Sequence, residues 1–155
     1  MRISLLYVGK LKEQFIELGE RVYVKKLAPF CKLDLIEVKS FGHLKGQSKQ
    51  AIIDKEGAEI IKKIPKDSYV IILDKTGKKF VSEDMVKKID FWLSTGKNIV
   101  LVIGGAFGIS FEVKNMAREQ LSLSDLTFTH EMARLIFLEQ LYRGFTILKN
   151  VPYHY

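Results

Sequence analysis

One cysteine, three histidines and three prolines occur in 155 residues, and each scarcity excludes something. A lone Cys31 cannot build an intrachain disulfide framework or a multi-cysteine metal site. His43, His130 and His154 are too far apart for metal-ligand spacing, so no metal is expected. No apolar run approaches the roughly 18 residues that span a bilayer. The longest helical stretch carries Glu139, Gln140 and Arg143 within it, so no membrane partner is expected either. The opening stretch from Ile3 to Val8 is too short for a signal peptide and reads as a strand. Together these features suggest a reducing cytoplasm. There are no internal repeats, low-complexity tracts or linkers, and residues 1–155 read as a single domain.

What is present is an ordinary globular composition, 47% apolar and 28% charged, which can bury enough surface to offset chain entropy. The charge leans basic, 25 Lys+Arg against 18 Asp+Glu. The excess is concentrated early: up to Val70 there are 14 basic and 9 acidic residues. A polyanionic partner fits that asymmetry. The stretch from Lys39 to Gln50 contains three lysines and no acid, with Phe41 and His43 between them. Loops that hold phosphates and stack on bases have this make-up, and so do plain solvated loops.

The hydrophobic period switches repeatedly between strand and helix. Strands are expected at Ile3–Val8, Leu33–Val38, Tyr69–Leu73 and Asn98–Ile103, with a fifth strand or ordered loop at Leu121–Phe128. Helices are expected at Leu11–Leu27, Ser48–Ile64, Ser82–Leu93 and Glu131–Leu148, with a short one after Gly108. In the first helix Phe15, Leu18, Val22 and Leu27 can share a face. Ser82 is placed to cap the third. Alternation of this kind predicts an α/β fold, a mostly parallel sheet flanked by helices, with a ligand at the strands' carboxyl ends.

Several familiar sites are missing. Thr76-Gly77-Lys78-Lys79 lacks the leading glycine and the Ser/Thr of a P-loop, Gly104-Gly105-Ala106-Phe107-Gly108 is not a dinucleotide fingerprint, and no nucleophile elbow is found. Three segments that follow apolar strands remain: Leu73 to Lys78, Ile103 to Gly108, and Leu121 to Phe128. Side by side in a parallel sheet they can form one pocket. Glycine lets the backbone approach a ligand, and Leu73, Leu123 and Leu126 can cover an adenine.

These segments, with Val8-Gly9-Lys10, Asp54-Lys55-Glu56-Gly57, Thr127-Phe128-Thr129-His130, Glu139-Gln140-Leu141-Tyr142-Arg143 and the terminal Pro152-Tyr153-His154-Tyr155, resemble the ribosomal RNA large subunit methyltransferase H family of the SPOUT (α/β-knot) superfamily from end to end. The resemblance implies methyl transfer from S-adenosyl-L-methionine to N3 of a pseudouridine in 23S rRNA of the assembled ribosome. It also implies a homodimer and a C-terminal deep trefoil knot. By the same resemblance Leu73, Gly104 and the run Leu123, Ser124, Asp125, Leu126, Thr127 and Phe128 hold the cofactor. Where family members often carry a proline before the histidine, this chain has Thr129.

An imide nitrogen is largely protonated at neutral pH, so the site needs a proton acceptor or cations facing the imide oxygens. His130, His154 and Arg143 are the candidates. Each has a plainer reading: His130 caps the last helix, Arg143 pairs with Glu139 four residues earlier, and the tail frays. The apolar residues of the last helix, among them Met132, Leu135, Ile136, Leu138, Leu141, Tyr142 and Phe145, cover too much of its circumference for one buried stripe, which suggests a dimer surface. Cys31 and Trp92 read as packing residues. The alternative from another class is a non-catalytic RNA- or ribosome-binding module, which needs the basic loop but not the three-turn pocket.

Overall fold

The computed structural model describes residues 1–42 and 45–153. Its elements run β1 (Arg2–Val8), α1 (Gln14–Leu27), β2 (Lys32–Val38), α2 (Lys49–Lys63), β3 (Tyr69–Lys79), α3 (Ser82–Ser94), β4 (Ile99–Ile103), α4 (Phe111–Met116), β5 (Glu119–Ser122) and α5 (His130–Leu148). All five strands are parallel, in the order β2-β1-β4-β3-β5. The sheet is the one the alternating pattern predicts.

The central strands are continuous apolar runs because both faces of a parallel sheet are covered. Successive residues take opposite sides. Leu5, Ile71 and Leu101 pack with Leu27, Met85, Trp92, Phe137 and Leu141 of α1, α3 and α5. Their neighbours Leu6, Ile72 and Val102 pack with Ile60 and Val113 of α2 and α4. Cys31 and Trp92 belong to the first of these layers, as packing residues. Among the described residues, no helix is long and apolar enough to cross a membrane.

Two local expectations need correction. The buried side of α1 is Ile16, Glu20 and Leu27, while Phe15, Leu18 and Val22 are exposed. The face turns that way because Glu20 is buried against Arg134 of α5. Ser82 does not cap α3: the N-cap is Val81, whose backbone N–H donates to Asp84, and the Ser82 hydroxyl donates to Gln140 Oε1 at 2.7 Å. Of the 121–128 stretch, read as a fifth strand or an ordered loop, the first two residues end β5, which starts at Glu119, and the rest is loop. Finally, α5 has no exposed residue between Glu131 and Leu148. Of the apolar residues named for a dimer surface, Leu138, Leu141 and Phe145 are buried within the chain, while Met132, Leu135, Ile136 and Tyr142 stay partly exposed.

The third strand also runs further than expected. Leu73 pairs with Leu121, and so does Lys78. Residues 74–77 therefore arch around β5, and the ladder resumes beyond them. The arch passes so close that a Cβ on Gly77 would lie 2.5 Å from the Leu121 backbone, which only glycine allows.

Candidate active site

Because β4, β3 and β5 are neighbours, their carboxyl ends open into one space. A cavity of about 790 Å³ lies there. Its walls come from the three strand-end segments, from Lys12 to Ile16 at the start of α1, and from Thr129 to Ala133 at the start of α5. Pockets of this volume, mostly apolar with a few backbone polar groups, hold cofactor-sized ligands.

Most of the sequence-designated positions meet in this cavity. Leu73, Gly104, Leu123, Ser124, Leu126, Thr127 and Phe128 line it, and so does His130. Leu126 projects outward and is 72% exposed, in the position of a flap. Ser124 shapes the loop, with its hydroxyl accepting from the Leu126 N–H at 3.0 Å and its carbonyl from the Ser122 hydroxyl at 3.1 Å. Asp125 is the exception: it is absent from the walls, and its carboxylate pairs with Lys79.

Gly104 is required for a different reason from the one the sequence suggests. A Cβ there would lie 2.5 Å from the Ile109 side chain and 2.7 Å from the Gly108 carbonyl oxygen. The turn closes on itself at this point, so a larger residue would break the turn before it blocked any ligand.

The helix start at His130 is capped by Thr129, whose hydroxyl accepts from the Met132 N–H at 3.2 Å. The imidazole lines the cavity, about one-third exposed, with its Nε2 3.9 Å from Glu131 Oε1. Beside it Glu131 is buried and accepts from the backbone N–H groups of Lys12 and Glu13 at 3.3 and 3.4 Å, tying α5 to the start of α1.

Sequence reasoning missed Asp74. It lines the cavity, where burial pushes its carboxyl up. Hydrogen bonds from the Thr76 N–H and hydroxyl, at 2.8 and 2.6 Å, and the Lys114 ammonium at 3.2 Å outweigh that and hold it below its ordinary value. The cavity wall thus carries a carboxylate paired with the Lys114 ammonium. The signal was an acid directly following a buried strand.

Arg143 is not in the cavity. It takes the plainer reading, donating to Glu139 Oε1 at 2.7 and 3.1 Å, and its guanidinium lies 5.2 Å from the Tyr153 ring. Tyr153 packs edge-on against Tyr142 with ring centroids 4.6 Å apart and shares a hydrogen bond with Tyr23 at 3.3 Å. Tyr153 therefore docks on α1 and α5. His154 and Tyr155 lie outside the described residues, as do His43 and Leu44.

A family model described as a predicted SPOUT methyltransferase matches residues 1–154. The chain is 40% identical to the ribosomal RNA large subunit methyltransferase H of Acetivibrio thermocellus and 42% identical to those of Halothermothrix orenii and Bacillus pumilus, with 99% of each chain covered. A solved probable methylase family protein from Haemophilus influenzae Rd KW20 matches 99% of this chain and 71% of its own length, with a TM-score of 0.59 at 16% identity, a likeness of fold alone. On the strength of a family match over nearly its whole length and of relatives at this identity, the chain belongs to the SPOUT methyltransferases, alongside the ribosomal RNA large subunit methyltransferases H.

Proposed function

We propose that this enzyme binds S-adenosylmethionine in the cavity at the ends of β3, β4 and β5 and methylates N3 of a pseudouridine in 23S rRNA of the assembled ribosome. It works in the cytoplasm, as one domain and as a homodimer. The observation that carries the reading is the convergence of Leu73, the 103–109 turn and the 121–128 segment on one cavity. SPOUT methyltransferases use this cofactor in general, and the cavity suits it. Backbone N–H and C=O groups at the turns match an adenine edge, the leucines cover its faces, and the Asp74 carboxylate offers an acceptor at the wall.

The cofactor supplies a methyl group on a sulfonium. The chain must do the rest: exclude water, align the acceptor nitrogen and take up its proton. His130 stands at the cavity wall, and an imidazole can accept a proton near neutral pH. Arg143 is suited to face the imide oxygens, yet the two cannot meet within one chain. They are 13 residues apart on one helix, about 20 Å at 1.5 Å per residue. A second copy resolves this. The exposed Phe15, Leu18 and Val22 form a stripe along α1, and Phe15 also lines the cavity. In this reading a dimer seated on that stripe would let Arg143 and the C-terminal end of the second copy complete the cavity. The deep trefoil knot in the C-terminal part belongs to the same reading, on resemblance to the family.

Calorimetric titration with S-adenosylmethionine, followed by methyl transfer to ribosomes lacking the modification, tests the reading. Leu126→Ala, at an exposed position, should weaken cofactor binding and leave the fold unchanged. Absence of cofactor binding by the wild type at millimolar concentration refutes the assignment of the cavity.

A further inference from the structure

The helix α2 carries a buried acid that the mechanism does not use. Glu56 is 3% exposed. Its Oε1 accepts from the Phe41 N–H at 2.9 Å and from the Ser40 hydroxyl at 3.1 Å. Its Oε2 is buried with no hydrogen-bond partner among the described residues and lies against Gly105, where a Cβ would come within 2.5 Å of it. The next residue, Gly57, lies equally close to Ser110, the residue that caps α4. Glu56 and Gly57 therefore touch both flanks of the cavity's glycine turn while holding the start of the basic loop.

Above this anchor, aromatic rings and cations interleave. The ammonium groups of Lys39 and Lys55 lie 5.1 and 6.0 Å from the centroid of the Phe41 ring. Lys49 lies 5.9 Å from the ring of Phe107, the residue inside the glycine turn, and Gly42 packs on that same ring. Phe107 is partly exposed and lines the cavity as well. The surface is thus continuous with the cavity mouth, and it combines ring faces with cations.

We propose that Phe41, with Lys39, Lys49 and Lys55, forms a binding surface for unpaired nucleotides of the RNA that flank the methylated base, and that Glu56 is the positioning residue that fixes this surface to the cavity rim. The inference rests on the RNA substrate proposed above. Ring faces accept any base by stacking, and the lysines supply the phosphate contacts. Coupling through Glu56 keeps the flanking nucleotides in register with the cavity, so the target base arrives at a fixed distance from the rim.

The test measures ribosome binding by co-sedimentation, separately from cofactor binding by calorimetry. Phe41→Ala should weaken ribosome binding about tenfold and Phe41→Trp should restore it. Cofactor affinity should stay within about twofold in both. Glu56→Ala should raise the KM for ribosomes with a smaller effect on kcat, and Glu56→Gln, which keeps an acceptor for Ser40 and Phe41, should recover most of the loss. A purely structural role for Glu56 would lower kcat and stability without that split. If Glu56→Ala does not fold, the Phe41 pair decides alone, since that ring is partly exposed and outside both buried layers. Unchanged ribosome binding in Phe41→Ala, or an equal loss of cofactor binding, overturns the proposal. A wild type that binds ribosomes through Phe41 but does not methylate them refutes the proposed reaction and leaves the surface standing.

Discussion

Replacing Arg134 with methionine should be among the most damaging single changes in the chain, and most of the damage should be reversible by a second change. Arg134 on α5 is 1% exposed, and its guanidinium donates to Glu20 on α1, itself 4% exposed. The same group lies 3.7 Å from the centroid of the Tyr7 ring at the end of β1. Its Nη2 finds no partner among the described residues. Arg134→Met keeps most of the volume but leaves the Glu20 carboxylate buried without a counter-charge. Breaking a buried pair on one side costs about 3–5 kcal/mol. With a urea dependence of about 2 kcal/mol per molar, the unfolding midpoint should fall by about 2 M. Replacing both partners removes the stranded charge together with the unsatisfied nitrogen. Glu20→Met/Arg134→Met should therefore lie within about 1 kcal/mol of the wild type.

The pH dependence separates charge from packing. Burial raises the Glu20 carboxyl above its ordinary value, and Arg134 partly opposes the rise. Without Arg134 the shift grows. A carboxyl with a raised folded-state value stabilises the fold most below its unfolded value and loses that contribution as pH climbs through the folded one. The deficit of Arg134→Met should therefore be small near pH 4 and large at pH 7. The pair also sits just beyond the two helix starts that line the cavity, Glu20 one turn after Ile16 and Arg134 directly after Ala133. Cofactor affinity should accordingly drop in the single variant and recover in the double. Urea curves showing the double variant as unstable as the single would refute the reasoning.

Three further outcomes can be checked independently. Burial pushes the Cys31 thiol up to about 11, so a thiol reagent at pH 8 should react only after unfolding. Burial raises the Glu119 carboxyl, but hydrogen bonds from Lys88, Trp92 and Tyr69 overcome it and hold the group below its ordinary value. Its contribution is present above the ordinary carboxylate range and is lost as pH falls through the lowered one, so Glu119→Gln should destabilise at pH 7 and narrow the gap to the wild type in acid. A chain stopped after Val151 loses the contacts of Tyr153 with Tyr142 and Tyr23 and should stay folded while losing most methyl transfer to ribosomes. Methylation at the full rate would remove the tail from the active site.

The strands were legible where burial is two-sided: runs such as Val70–Leu73 and Ile99–Ile103 leave no other reading. The face of α1 was not, because its position 20 is an acid whose partner is 114 residues away, and the apolar triplet Phe15, Leu18 and Val22 offers a more regular local pattern. At the site, the glycine turn and the segment after β5 were visible as interruptions of apolar runs. Lys12, Glu13 and Met132 were not, since they reach the cavity only because α1 and α5 pack together. The separation of Arg143 from His130 follows from helical rise alone. What the chain cannot encode locally is which second surface closes that gap.

The strand order also governs how the molecule can be assembled. Strand β4 lies between β1 and β3, yet it is made after both. Until residues 99–103 leave the ribosome, the first three strands cannot unite into one sheet, and β1 and β3 each keep an apolar edge with unpaired backbone groups. Among the described residues all the strand pairs are parallel and non-local, so no hairpin bridges the gap. A nascent chain of about 98 residues is therefore two separate pieces with exposed edges. Its solubility during synthesis depends on how quickly five apolar residues, Ile99 to Ile103, arrive to join them.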